Sequence, residues 1–155
     1  MISDSLLSGV YLFADLSVAE REAFARIAGS MPLAPGIRIF AAGDPATAFY
    51  LIEHGSVRIS TIGLGGGAID VAILGTGSHF GEMALLDGAA RSATAETLEA
   101  TSLFRFEYRA LAALLDKTPP TAARFYRALA RFLSNRLRQT TMDMSFAREK
   151  NLRYF

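Results

Sequence analysis

The chain has 155 residues, of which 51% are hydrophobic, and its formal net charge is +1. This length suits one domain, and the apolar fraction excludes global disorder. The absence of cysteine excludes disulfides and thiolate metal sites and fits a reducing compartment. Neither a secretion signal nor an apolar run of the roughly 18 residues that a membrane span needs is found. We therefore expect a cytoplasmic protein without a membrane partner.

The first 35 residues are predicted to be helical. Ser17 and Glu20 form a Ser-x-x-Glu capping box, which is typical of a helix start. Apolar residues follow at helical spacing until Gly29 and Pro32 end the pattern. We expect this lead to pack against the rest of the fold without carrying chemistry.

From residue 36 the hydrophobic period changes to two, which predicts strands. The predicted strands are 37–40, 49–52, 57–62, 69–74, 91–96 and 101–106. Short strands separated by glycine turns favour a β-sandwich or barrel. The glycine cluster at 63–67 precedes a strand and lacks the Lys and Ser or Thr of a phosphate-binding P-loop, so we interpret it as a hairpin loop.

Two helices are predicted after the strands, a short one over 107–115 and a long one from Thr121 to about Met144. The apolar positions of the long helix are Phe125, Leu129, Phe132, Leu133, Leu137 and Met144. About 24 residues would span roughly 36 Å, which exceeds what one small sheet domain can cover. The excess apolar stripe predicts a homodimer through this helix.

Basic residues concentrate at the same end of the chain. Residues 121–155 carry eight Lys and Arg against two Asp and Glu, whereas residues 1–120 carry eight against thirteen. A solvated helix face explains these arginines, and a nucleic acid or an acidic lipid is the alternative. Only residues 142–155 follow the long helix, too few for a helix-turn-helix reader, so we expect no sequence-specific DNA binding from this chain.

Residues 80–95 combine glycine turns, a brief apolar segment and an Arg-Ser pair. Backbone N–H groups around Met83 and Ala84 would be free to bind an anion. Arg91 can pair with a phosphate, and Glu82 can accept hydrogen bonds from a sugar hydroxyl. The stretch therefore predicts a site for a sugar phosphate without a metal. The alternative is that Glu82 and Arg91 merely pair with each other in a loop.

This stretch resembles the phosphate-binding cassette of the cyclic nucleotide-binding domain family, which includes the regulatory domains of bacterial catabolite activators. The matching residues are Phe-Gly-Glu-Met-Ala-Leu at 80–85 and Arg-Ser-Ala at 91–93. The resemblance implies that Gly81 approaches the cyclic phosphate, and that Glu82 holds the ribose 2′-hydroxyl. It also implies that Arg91 neutralises the phosphate and that Ser92 adds a hydroxyl contact.

The family fold that the resemblance implies is α+β. It is an antiparallel β-roll, a jelly-roll-like double-stranded β-helix, with N-terminal helices, a short cassette helix and a long C-terminal helix. We expect one domain over 1–155, with a helical lead at 1–35, the β-roll at 36–106, the cassette at 80–95, helices at 107–145 and a tail at 146–155.

A second, weaker resemblance lies in the long helix. Residues 136–141, Arg-Leu-Arg-Gln-Thr-Thr, are similar to a segment of catabolite activators in which paired hydroxyl residues, one from each subunit, contact the adenine of cyclic AMP. The matching positions are Thr140 and Thr141, and the alternative is that they are ordinary residues near a helix end. The predicted ligand-binding residues are therefore Phe80, Gly81, Glu82, Met83, Ala84, Arg91, Ser92, Ala93, Thr140 and Thr141.

Catalysis would need a base beside a nucleophile, or a metal site. The two histidines, His54 and His79, sit at turn-like positions without metal-ligand spacing, and we interpret both as solvated loop residues. We therefore predict a receptor with no catalytic residue, metal or cofactor. It would be a cyclic nucleotide sensor that binds cyclic AMP in preference to cyclic GMP and relays binding to the C-terminal helix and an effector protein. A ligand-free dimerisation or protein-interaction module on the same fold is the alternative.

Overall fold

The computed structural model describes residues 1–152. Its helices are α1 (Asp4–Ser8), α2 (Val18–Ile27), α3 (Met83–Asp87), α4 (Tyr108–Lys117) and α5 (Pro119–Leu152). Its strands are β1 (Ala28–Leu33), β2 (Arg38–Phe40), β3 (Ala48–His54), β4 (Val57–Ile62), β5 (Ala68–Leu74), β6 (His79–Phe80), β7 (Thr94–Thr97) and β8 (Thr101–Glu107). Among these residues, no helix combines the length and the apolarity needed to cross a membrane.

The strands form two four-stranded antiparallel sheets. One has the order β1-β8-β3-β6 and the other the order β2-β7-β4-β5. The predicted α+β class, an antiparallel β-roll with N-terminal helices, a short cassette helix and a long C-terminal helix, is confirmed. Because β4 pairs with β5 across residues 63–67, the prediction of a glycine-rich hairpin loop is also confirmed.

Two apolar clusters hold these layers together. The first joins the helices to one sheet: the rings of Phe24 in α2 and Phe125 in α5 stack with centroids 5.4 Å apart, and the Phe13 ring centroid lies 5.8 Å from that of Phe106 in β8. The second contains residues of both sheets, among them Ile52 of β3 and Val57 of β4. Residues 48–52 of β3 are buried on both faces, because helices cover one face and the other sheet covers the second.

The N-terminal lead is only partly helical. The predicted helix start at Ser17 is confirmed, since its hydroxyl accepts a hydrogen bond from the Glu20 backbone N–H at 3.2 Å. The Glu20 carboxylate accepts from the Ser17 hydroxyl, whereas a full capping box uses the Ser17 backbone N–H. The prediction of helix up to residue 35 is wrong beyond Ile27, because residues 28–33 form β1 and pair with β8. This strand lies at the edge of its sheet, where Pro32 is tolerated.

Helix α5 is longer than predicted. It begins in the first turn with two prolines, a favoured position for that residue, and continues to Leu152. The expected end near residue 144 and the expected tail from 146 are therefore wrong for 146–152, and residues 153–155 lie outside the described residues. At 1.5 Å per residue the helix is about 51 Å long. Its buried residues all lie in the first third, between Thr121 and Leu129, so most of it extends beyond the domain core.

Candidate functional site

The cassette runs from β6 through a glycine turn into the short helix α3. Phe80 pairs with Tyr50 of β3, so the turn starts from a buried edge strand that is fixed by the central strand β3. Gly81 then adopts a φ of +82°, and Gly88, with a φ of +66°, ends the helix. Glu82 is the N-terminal cap residue of α3, but its side chain makes no capping hydrogen bond and is free for other partners.

Glycine is required at position 81 for two reasons. A φ of +82° disfavours any residue with a Cβ. In addition, a Cβ at this position would lie 2.7 Å from Nη1 of Arg91, closer than such atoms approach in practice. The glycine therefore allows the guanidinium to lie directly against the cassette backbone.

Arg91 is buried and held by backbone carbonyls. Its Nη1 donates to the Gly81 carbonyl oxygen at 2.9 Å, and its Nη2 donates to the Ala48 carbonyl oxygen at 2.6 Å. The guanidinium carbon lies 4.0 Å from the centroid of the Phe40 ring, in a cation–π contact. Its buried Nε has no hydrogen-bond partner, and within residues 1–152 no carboxylate lies within 4.0 Å of the guanidinium.

The structure excludes the alternative in which Glu82 and Arg91 pair with each other. The Glu82 side chain is 2% exposed, and its Oε2 instead lies 3.3 Å from Nδ1 of His79. His79 is 6% exposed, so its interpretation as a solvated loop residue is wrong. It is buried because it lies in β6, opposite Leu51, and under the Phe132 ring of α5. His54 is exposed at the end of β3, as predicted.

Tyr108 is a site residue that sequence reasoning missed. It opens helix α4, and its hydroxyl donates to the Gly81 carbonyl while Nη1 of Arg91 lies 3.4 Å from the hydroxyl oxygen. Burial raises the pKa of Tyr108, and the positive charge of Arg91 opposes that rise only in part. The hydroxyl therefore stays protonated and can act as a donor at neutral pH. No local pattern marks this tyrosine, because it lies 27 residues beyond Gly81 in the chain.

A pocket of about 400 Å³ opens beside these groups, a size within the range of small-molecule sites. It is lined by Phe40, Ile59, Thr61, Val71, Leu74, Phe80, Gly81, Glu82, Met83, Ala84, Asp87, Ala89, Ala90, Arg91, Ser92, Ala93 and Arg136. The lining thus includes every predicted ligand-binding residue of the cassette. It also includes Arg136 of α5, which the sequence placed only in the helix segment and not at the pocket.

The two threonines predicted on α5 do not line the pocket of this chain. Thr140 and Thr141 are both exposed, and the Thr141 hydroxyl donates to the Leu137 carbonyl oxygen at 2.9 Å. Helix α5 thus approaches the pocket at Arg136 and then continues past it. Contact of Thr140 or Thr141 with a bound ligand stays a prediction.

The pocket suits a small anion that also carries hydroxyl groups. Arg91 supplies a positive charge that lacks a carboxylate partner among the described residues, and the uncapped start of α3 supplies N–H donors. Glu82 supplies a buried acceptor for hydroxyl groups. Apolar side chains such as Ile59, Val71 and Leu74 supply a wall for a flat ring.

Comparisons with known proteins agree with this geometry. A family model described as "Cyclic nucleotide-binding domain" matches residues 31–118, a range that contains the whole cassette. The chain is 39% identical over 122 residues to a Thermus thermophilus protein named "Cyclic AMP receptor protein", a match that covers 75% of this chain and 53% of the relative. It is 36% identical over 91 residues to a "cAMP-dependent protein kinase regulatory subunit" of Yarrowia lipolytica, covering 59% of this chain and 24% of the relative.

A solved structure has the same architecture. The crystal structure of Thermus thermophilus Catabolite Activator Protein superposes with a TM-score of 0.79 at 33% identity, covering 88% of this chain and 62% of that one. The chain thus spans about half the length of the first of the two curated relatives and about a quarter of the second.

Proposed function

Because this chain belongs to the cyclic nucleotide-binding domain family, we propose that it senses cyclic AMP and relays the binding of that ligand to helix α5. Arg91 is the observation that carries the proposal. This residue is 7% exposed and lines the pocket, and no carboxylate within residues 1–152 lies within ion-pair distance of its guanidinium. A buried charge without a partner is unfavourable, and a cyclic phosphate carries the single negative charge that would compensate it.

The proposal assigns each part of the ligand to described residues. The cyclic phosphate contacts Arg91, the Ser92 hydroxyl and the N–H groups of Met83 and Ala84 at the start of α3. The ribose 2′-hydroxyl donates to the Glu82 carboxylate. Gly81 keeps the backbone close to the phosphate, and its φ of +82° and its contact with Arg91 support this role.

The base would lie towards α5. Arg136 already lines the pocket, and Thr140 and Thr141 lie about one turn further along the same helix. The preference for adenine is supported by Ser92, since many cyclic GMP-selective domains carry Thr at this position. The names of both curated relatives also refer to cyclic AMP.

The relay would follow from the position of Arg136. Because the pocket is formed partly by the cassette and partly by α5, a ligand that touches both favours one placement of α5 over others.

The same proposal includes a homodimer through α5, an effector protein that responds to the position of α5, and a cytoplasmic location. It describes a receptor, since the pocket residues offer phosphate and ribose contacts but no nucleophile with a paired base.

Isothermal calorimetry of the purified protein with cyclic AMP and then with cyclic GMP tests this function. We expect micromolar or tighter binding of cyclic AMP and at least about tenfold weaker binding of cyclic GMP. Non-cyclic 5′-AMP is the matched control, because it keeps the base and ribose but presents a doubly charged, open phosphate. No heat and no thermal shift with either cyclic nucleotide would contradict the proposal and favour the protein-interaction module.

A further inference from the structure

His79 lies between the cassette and helix α5. Its Nδ1 is 3.3 Å from Oε2 of Glu82, and its ring centroid is 4.3 Å from that of Phe132 in α5. The residue is buried and its backbone is fixed by pairing with Leu51 of β3. One edge of the imidazole therefore meets the carboxylate, while the ring rests on the helix.

The two facing atoms are not yet well paired. Both Nδ1 of His79 and Oε2 of Glu82 are buried without an aligned hydrogen bond, although they are close enough for one after a small rotation. Buried polar atoms that lack hydrogen-bond partners are unfavourable, so a small rotation that forms this hydrogen bond would stabilise the pair. Within residues 1–152, His79 is also the only basic side chain within 4.0 Å of the Glu82 carboxylate.

We propose that His79 is a positioning residue that orients Glu82 for the ribose 2′-hydroxyl and links this carboxylate to α5 through Phe132. This inference rests on the proposed function, because it concerns how the nucleotide's ribose is held. If α5 moves, the Phe132 ring moves against His79, and the orientation of Glu82 changes with it. Recognition of the ribose and the placement of the helix are thereby coupled.

The charged groups around the imidazole are Glu82 from the cassette and, beyond Phe132, Arg136 of α5, whose guanidinium carbon lies 5.7 Å from that ring; Leu51 of β3 is uncharged. The Glu82 carboxylate is therefore the acceptor that faces Nδ1 of His79.

The test compares cyclic AMP with 2′-deoxy-cyclic AMP. In the wild type we expect the deoxy ligand to bind about 10- to 100-fold more weakly, because Glu82 loses its hydroxyl partner. In His79→Phe, which keeps a ring against Phe132 but removes the donor, the loss should shrink to less than about threefold. In His79→Asn, whose amide nitrogen can replace Nδ1, the discrimination should return in part.

Phe132→Leu tests the link to the helix, and it should also reduce the discrimination against the deoxy ligand. An unchanged ratio of the two affinities in both His79→Phe and Phe132→Leu would overturn the inference. Wild-type protein that binds neither ligand would instead contradict the proposed function, so the two failures are distinguishable. Thermal unfolding establishes that each variant is folded.

His54→Gln, at the other and exposed histidine, is the matched control and should discriminate against the deoxy ligand as the wild type does. If His79→Phe does not fold, Phe132→Leu decides the matter. An unchanged ratio of the two affinities in that folded variant would then refute the link between Glu82 and α5.

Discussion

Arg91 combines three features that seldom occur together in one side chain. It is buried, it is fixed by the carbonyl oxygens of Gly81 and Ala48, and it stacks on the Phe40 ring. These contacts orient the guanidinium without neutralising its charge. The residue is therefore arranged before the ligand arrives, which lowers the cost of ordering on binding.

Replacing this residue tests the phosphate contact directly. Arg91→Ala should weaken cyclic AMP binding by about 3 kcal/mol, or roughly 150-fold, because a charge-assisted contact in a partly closed site is lost. Calorimetry measures the change. Arg109→Ala, at an exposed arginine in α4, is the matched control and should bind as the wild type does. Equal affinities in the two variants would rule out Arg91 as the phosphate contact.

Gly81 offers a second test at this scale. Gly81→Ala should destabilise the fold by about 1–3 kcal/mol, since the backbone has a φ of +82°, and should weaken nucleotide binding by displacing Arg91. Urea unfolding and calorimetry measure the two effects. In Gly65→Ala, a Cβ would meet nothing within 4 Å, so neither quantity should change. A Gly81→Ala variant with wild-type affinity would contradict the close approach of backbone and ligand.

Helices α2 and α5 are joined by one ion pair as well as by aromatic packing. Nη2 of Arg124 in α5 lies 2.7 Å from Oε1 of Glu20 in α2, and the same carboxylate oxygen accepts a hydrogen bond from the Ser17 hydroxyl. Burial raises the pKa of Glu20, but the side chains of Thr121, Arg124 and Ser17 together outweigh it, so the pKa lies below its ordinary value of 4.5. The start of α5 is thereby tied to the N-terminal helices.

This link predicts how stability depends on pH. Because folding lowers the pKa of Glu20, its carboxylate adds to the free energy of unfolding above about pH 4.5. This stabilisation is lost as the pH falls through the pKa that Glu20 has in the folded protein. Glu20→Gln should therefore lower stability by about 1 kcal/mol or less at neutral pH, and the difference from the wild type should vanish in acid. Thermal unfolding at several pH values measures this. Glu22→Gln, on the same helix and 57% exposed, should show no such pattern.

At the scale of the whole molecule, the outer part of α5 is exposed from residue 134 to residue 152, where the structure's description ends. Leu137 and Met144 are 68% and 55% exposed; Leu137 follows the partly buried Leu133 by four residues, and Met144 follows Leu137 by seven. This spacing is typical of a helix seam that packs against a second helix. Thr140 lies on the same seam, so a dimer through it would place Thr140 of both subunits at the contact between the two helices.

Leu137→Glu tests the dimer. A carboxylate in an apolar helix seam should weaken dimerisation at least about tenfold, because the charge would be buried without a partner. Sedimentation analysis over a range of protein concentrations measures the change. Met142→Glu is the control, since Met142 is 66% exposed but lies about 140° around the helix from Leu137. Two variants that dissociate alike, or a wild type that is monomeric throughout, would disprove a dimer through this seam.

The sequence by itself determined the features whose causes are local. The helix start at Ser17 and the hairpin at 63–67 depend on residues within one turn of each other, and the β-roll followed from the alternating strands and the family resemblance. The cassette was identified for the same reason, because its glycine turn, Glu82 and Arg91 all lie within one short stretch. Such features can be predicted from the sequence because the residues that form them are close neighbours in the chain.

Only the tertiary structure decided the contacts between distant segments. Strand β1 forms because it pairs with β8, more than 60 residues later in the chain. The sequence of residues 28–33 has no pattern that predicts this strand. The burial of His79 depends on Phe132, and the place of Arg136 at the pocket depends on where α5 packs. The physical reason is that burial and pairing of charges are set by whichever surfaces meet on folding, which a single stretch of chain does not specify.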